Sequence, residues 1–153
     1  MKQYTNELTA EMLAAFDQPP FTAEQLAEMN EEARNLIAAR NAYNLAHPVT
    51  AAYLIATEGS LTRNGGMVIS EYSGQQIEIE DGTRLNASLV GDEVRYPDGT
   101  TAKISTGVGN TSGNSAALVG SLLDNGDEII SSPQGSVRRA VRAGESLPEN
   151  FLK

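Results

Sequence analysis

Apolar positions along this chain follow two different rhythms. In the first third, Leu8, Met12, Leu13 and Phe16 recur at helical spacing. Pro19 and Pro20 follow, and proline removes a backbone donor and restricts its predecessor, so a first short helix is predicted within residues 1–18. A second helix is predicted from Thr22. Thr22 with Gln25 makes a capping box, and Phe21 and Leu26 are placed as a hydrophobic staple. Leu26, Met29, Ala33, Leu36, Ile37 and Tyr43 trace its apolar stripe, with acids early, arginines late and Pro48 as the stop. So narrow a stripe needs a covering surface, either its own β domain, a sister subunit or a docked protein.

From residue 51 the rhythm changes to short apolar runs between glycine turns. Residues 59–74 (GSLTRNGGMVISEYSG) and 120–135 (GSLLDNGDEIISSPQG) are identical at eight of sixteen aligned positions. A third copy, LVGDEVRYPDGTTAKIS over 89–105, places Gly91 32 residues after Gly59 and 29 before Gly120. Each copy predicts a hairpin, with Asn64-Gly65, Asp98-Gly99 and Asn125-Gly126 at the turns and strands such as Met67–Ile69, Ala102–Ile104 and Glu128–Ile130. Between copies, QQIEIEDGTRLNASLV alternates and turns at Asp81-Gly82, while 107–113 predicts a Gly/Asn/Ser/Thr loop. Three equivalent hairpins in one chain suit a pseudo-threefold closure that protects strand edges.

Composition narrows the chemistry. A formal charge of −9 disfavours nucleic acid, whose backbone needs clustered Lys and Arg. The absence of cysteine excludes disulfides and thiolate metal sites. No basic leader and no apolar run approaching about 18 residues is present, so synthesis in the cytoplasm without a signal peptide or stable membrane insertion is expected. The single histidine, His47, sits at a predicted helix end. Ser60, Ser131 and Ser132 have no histidine spaced to activate them, so no enzyme is expected. Asp124-Asn125-Gly126-Asp127-Glu128 offers oxygen ligands to calcium without EF-hand spacing, and an Asx-type turn explains it equally well. Arg138, Arg139 and Arg142 read as a short C-terminal helix ended by Gly144 and paired with residues 1–47, whose net charge is −4.

The steps Gly59-Ser60, Gly91-Asp92 and Gly120-Ser121, with the turns TRNGG, YPDGT and DNGDE, resemble the PAAR-repeat family over about residues 52–135. The Pro-Ala-Ala-Arg tetrapeptide itself is absent. The resemblance implies a mainly β protein: a small conical pseudo-threefold repeat over 51–135, behind a helical N-terminal extension of residues 1–50 and before a short helix and tail of 136–153. Its repeat starts are Gly59, Gly91 and Gly120, and its apex turns are Asn64-Gly65, Asp98-Gly99 and Asn125-Gly126. It also implies a function, the tip that caps and sharpens the trimeric β-helical spike of a contractile injection machine. One copy would bind each homotrimer, in a phage tail baseplate and virion or as a type VI secreted spike, with residues 1–47 open to other baseplate or cargo proteins. Members of the family hold zinc near the apex through histidines and a cysteine. Here the matching turns carry Asn64, Tyr96 or Asp98, and Asn125, so no zinc is expected and the apex must close by hydrogen bonds or packing. The alternative reading is a calcium-dependent β-repeat binding or adhesin module.

Overall fold

The computed structural model describes residues 2–16, 21–109 and 115–152, so Pro19, Pro20 and most of the predicted 107–113 loop lie outside the described residues. Three helices, α1 (Ala10–Phe16), α2 (Ala23–Ala27) and α3 (Glu31–Ala46), precede nine short strands. The strands are β1 (Val49–Leu54), β2 (Leu61–Thr62), β3 (Met67–Ile69), β4 (Gln76–Glu78), β5 (Arg84–Asn86), β6 (Glu93–Arg95), β7 (Thr101–Lys103), β8 (Ile129–Ser131) and β9 (Arg138–Arg142). The chain is mainly β. It divides into a β unit, residues 1–6, 53–139 and 146–153, and a helical unit, residues 7–52 and 140–145.

In the β unit, five antiparallel strands run in the order β7-β6-β3-β2-β8, and β4 and β5 form a separate hairpin. The three sequence copies build the same backbone pattern. Each opens with a turn closed from Ser60 N–H to Thr57 C=O (3.0 Å), Asp92 N–H to Leu89 C=O (3.1 Å) and Ser121 N–H to Leu118 C=O (2.9 Å). The side chain of the closing residue then accepts from the first residue's N–H: Thr57 to Ser60 Oγ, Leu89 to Asp92 Oδ2, Leu118 to Ser121 Oγ. Serine and aspartate interchange here because either offers the acceptor oxygen that an ST- or Asx-type turn needs. The glycine before it stands at φ +85° (Gly59), +98° (Gly91) or +110° (Gly120), a region that L side chains avoid. From there its N–H reaches the carbonyl of Val68, Ile104 or Ile129 at 2.7–2.9 Å. These three equivalent apolar residues are buried in the common core with Leu54, Val94 and Leu123.

The copies are bonded to one another in a cycle. Ala56 N–H donates to Ala117 C=O (3.0 Å), Ala117 N–H to Ser88 C=O (2.9 Å) and Ser88 N–H to Ala56 C=O (2.8 Å). All three donors lie three residues before their copy's opening glycine. A second cycle runs from Glu58 to Asn86 (2.9 Å), Val90 to Ser115 (2.8 Å) and Val119 to Leu54 (2.8 Å). Ala56, Ser88 and Ala117 are completely buried, which explains why small residues recur there. The N-terminal residues also belong to this unit: Tyr4 pairs with Ser132, and Asn6 accepts from Leu54 N–H and donates to Val119 C=O. The helical extension assigned to residues 1–50 therefore begins only after Asn6.

The helical unit departs from the sequence expectation twice. The capping box at Thr22 is present, but the helix it starts stops at Ala27. Asn30, extended at φ −72° and ψ 166°, restarts it by accepting from Ala33 N–H at 2.8 Å, with Glu31 and Glu32 in the new first turn. A second N-cap with acids behind it competes with helix continuation, and here it prevails. No residue of the three helices is fully buried; Ala33 and Ile37 are half-buried, whereas Leu36 and Tyr43 of the predicted stripe are exposed. The second departure is the basic segment, which is strand β9 where a short helix was expected. It forms a two-stranded sheet with β1, and β-branched Val141 suits that state.

Candidate functional site at the three turns

All three hairpin turns have one geometry. In the first, Gly65 N–H bonds Thr62 C=O and Thr62 N–H bonds Gly66 C=O; the second pairs Gly99 with Tyr96 and Tyr96 with Thr100; the third pairs Gly126 with Leu123 and Leu123 with Asp127. Gly65, Gly99 and Gly126 stand at φ +89°, +87° and +86°, while Asn64, Asp98 and Asn125 keep negative φ. This is the three-residue hairpin loop, a type I turn closed by a left-handed glycine. The asparagines and the aspartate are therefore helical turn residues, and the glycine alone takes the left-handed angle. Pro97 falls at the position such a turn favours for proline. Gly82 at φ +86° repeats the same turn between β4 and β5.

One carboxylate joins the turns of all three copies. Asp127, only 2% exposed, accepts from Tyr96 Oη at 2.6 Å through Oδ2 and from Asn64 N–H at 3.2 Å through Oδ1. Glu128 N–H donates to the same Oδ1 at 2.8 Å. Asn125 Nδ2 donates to Tyr96 Oη at 3.0 Å, and Asn125 Oδ1 accepts from Asp127 N–H at 3.0 Å. Burial pushes the Asp127 carboxyl up. Hydrogen bonds from the Thr62 and Tyr96 hydroxyls and from Glu128 and Asn64 N–H outweigh that, and its pKa lies below the ordinary aspartate value. Tyr96 moves the other way, raised by burial and by the Asp127 carboxylate it serves. An Arg63–Glu128 ion pair links the first copy to the third, and Asp124 links the third to the second, its N–H donating to Lys103 C=O and its Oδ1 accepting from Lys103 N–H.

Each residue singled out in the sequence can now be placed. Asn64 and Asn125 are at the cluster, and Tyr96 reaches it from the second copy. Asp98 does not: its carboxylate accepts from Thr100 N–H and Oγ1 within its own turn, which holds its pKa low. Gly59, Gly91 and Gly120 lie on the core side of their copies, bonded to Val68, Ile104 and Ile129. Asp127 and Thr62 were not singled out as central. The available signal was positional, because the residues after the turn glycines are Gly66, Thr100 and Asp127, one acid facing the only tyrosine in the three turns. Gly66 also has a steric reason to be glycine, since a Cβ there would stand 2.7 Å from Val94 Cγ1 and 2.9 Å from the Tyr96 ring.

The turns do not fit the zinc that the resemblance implies. Where the turns meet, the side chains are an amide, a phenol hydroxyl and the Asp127 carboxylate, already surrounded by donors, whereas zinc takes imidazole or thiolate. The oxygens of the 124–128 stretch likewise diverge: Asp124 Oδ1 faces Lys103 N–H, Asn125 Oδ1 faces Asp127 N–H and Glu128 pairs with Arg63. Among the described residues no group of three or more His, Cys, Asp or Glu could hold a metal ion.

In the helical unit, Arg142 binds main-chain carbonyls. Its guanidinium donates to Asn44 O (3.2 Å), His47 O (3.0 Å) and Phe16 O (3.2 Å), at the C-terminal ends of α3 and α1. A fixed fork of donors suits converging helix-end carbonyls. His47 is the C-cap of α3 and stacks on Tyr43 with ring centroids 4.1 Å apart. Among the described residues, no helix is long and apolar enough to cross a membrane. No family model, curated protein or solved structure matches the chain.

Proposed function

We propose that this chain is a non-enzymatic structural tip, a small cone seated on the blunt end of a homotrimeric β-helical spike in a contractile injection machine. The carrying observation is the pair of hydrogen-bond cycles, Ala56–Ala117–Ser88 and Glu58–Asn86, Val90–Ser115, Val119–Leu54. They relate three equivalent segments as a pseudo-threefold axis would, and the PAAR-like steps at Gly59, Gly91 and Gly120 fall at matching places on them. A single chain so arranged offers three similar edges to the three strand ends of a homotrimer. In this reading the turn cluster is the apex. The Asp127–Tyr96–Asn125 network closes it where other members of the family use zinc, and the helical unit serves baseplate or cargo contacts. The setting is a phage tail virion or a type VI secreted spike.

Mixing the full-length protein with a purified trimeric spike encoded beside it, and measuring mass in solution, tests the proposal. A complex of one chain per trimer that persists at moderate salt is expected, because backbone pairing and apolar contact are screened less than charge pairing. A complex of three chains per trimer, or none, overturns it. A large loss of melting temperature on adding a chelator would instead favour the calcium-dependent binding module.

A further inference from the structure

Asn-Gly occurs twice in the chain, at Asn64-Gly65 and Asn125-Gly126, in turns of identical backbone geometry. Both asparagines are exposed, and neither Gly65 nor Gly126 has anything within 4 Å of where a Cβ would stand. The asparagine side chains differ. Asn125 is held at both ends, its Nδ2 on Tyr96 Oη at 3.0 Å and its Oδ1 on Asp127 N–H at 3.0 Å. The Asn64 side-chain amide makes no hydrogen bond among the described residues, and only its backbone N–H is engaged, by Asp127 Oδ1.

We infer that Asn64 is a site of spontaneous deamidation in the folded protein and that Asn125, in the same dipeptide and the same turn, is protected. The reaction needs no enzyme. The Gly65 amide nitrogen gives its proton to solvent base and attacks Asn64 Cγ; a C–N bond forms, the bond to the side-chain nitrogen breaks and that nitrogen leaves as ammonia. Water then opens the cyclic imide at either carbonyl, giving aspartate or isoaspartate. Glycine is the least hindered following residue, which makes both dipeptides competent. What separates them is that Asn125 must first release two hydrogen bonds before its side chain can turn toward Gly126 N. A tenfold difference in rate corresponds to about 1.4 kcal/mol of barrier, within the net contribution of two neutral hydrogen bonds. The product at Asn64 places a new carboxylate, or a lengthened backbone, next to the N–H that Asp127 accepts from. Deamidation at this one turn therefore acts directly on the link between the first and third copies.

The test is to incubate the full-length protein at mildly alkaline pH and follow the one-dalton mass gain at each asparagine by peptide mass spectrometry. A parallel sample is held in denaturant. The folded protein is expected to deamidate at Asn64 about tenfold faster than at Asn125, with the ratio falling to about one in denaturant, where the hydrogen bonds are gone. Tyr96→Phe, which removes one Asn125 anchor, should raise the Asn125 rate and leave Asn64 unchanged. Equal rates in the folded protein, a faster Asn125, or a ratio that denaturant does not change would each overturn the inference. Should Tyr96→Phe fail to fold, the ratio of folded to denatured wild-type rates still decides.

Discussion

The two units of this chain are held by opposite means. In the β unit, strands of two or three residues, too short to persist alone, are tied by backbone bonds between copies some 30 residues apart, around the buried residues Val68, Ile104 and Ile129. In the helical unit the order is local. Thr22 and Asn30 cap, Arg142 gathers two helix ends, and no helical residue is fully buried. The difference teaches where substitutions will be felt. Damage in the β unit should spread across the copies, and damage in the helices should stay where it is made.

The sharpest way to break that contrast is a cavity at the shared core. Ile129→Ala should destabilise the β unit by about 2–5 kcal/mol, since the fully buried side chain belongs to a common cluster. Amide hydrogen exchange should show the loss in the first and second copies as well as the third, at Val68 and Ile104 as well as Ile129. Next come the turn glycines. Gly65→Val and Gly126→Val should each cost about 1–3 kcal/mol through backbone strain alone, because the space beside them is open. Unchanged melting temperatures for both would count against left-handed glycines at these turns.

Asp127→Asn should follow at about 1–3 kcal/mol near neutral pH, the loss expected for a buried charged acceptor. Its pH dependence sharpens the comparison. The folded pKa lies below the unfolded value near 3.8, so the stabilisation is complete above that value and is lost as pH falls through the folded pKa. The gap in melting temperature between wild type and variant should therefore close on acidification. In the helical unit, Thr22→Ala should cost about 1 kcal/mol, detectable as faster amide exchange in α2 and not in β3 or β8. Smallest of all, Leu36→Ser should stay within about 0.5 kcal/mol in a thermal melt, because Leu36 is 68% exposed.

Much of the β unit was legible because its signals are short-range. A Gly-Ser or Gly-Asp step records a turn whose acceptor oxygen and left-handed angle are both local requirements, and such requirements leave marks at fixed spacing. Asn64 and Asn125 were readable as turn residues for the same reason, although the loop type was not, since Asn-Gly fits more than one hairpin geometry. Asp127 was harder to see. Its role depends on Tyr96, 31 residues away, and on Asn64 in a third segment, contacts that no local pattern encodes. The helical stripe misled because Leu36 and Tyr43 keep helical spacing without being covered. The SVRRAVRAG segment misled differently, since its arginines suit a helix in isolation and β1 supplies a strand partner that overrides propensity.

The cycle through Ala56, Ala117 and Ser88 also fixes how many copies this architecture holds. In an open array, each unit rests on the one before, and units can be gained or lost at an end while the remainder stands. Here every copy donates to one neighbour and accepts from the other, and the last bond returns to the first copy. A fourth hairpin would find no free partner inside the circuit, and deleting one would leave two buried amide groups unmatched. Duplication and loss, the ordinary route by which repeat proteins change length, are opposed by this circuit, so insertions should be tolerated best away from it, at the turn between β4 and β5 and in the helices that precede the repeats.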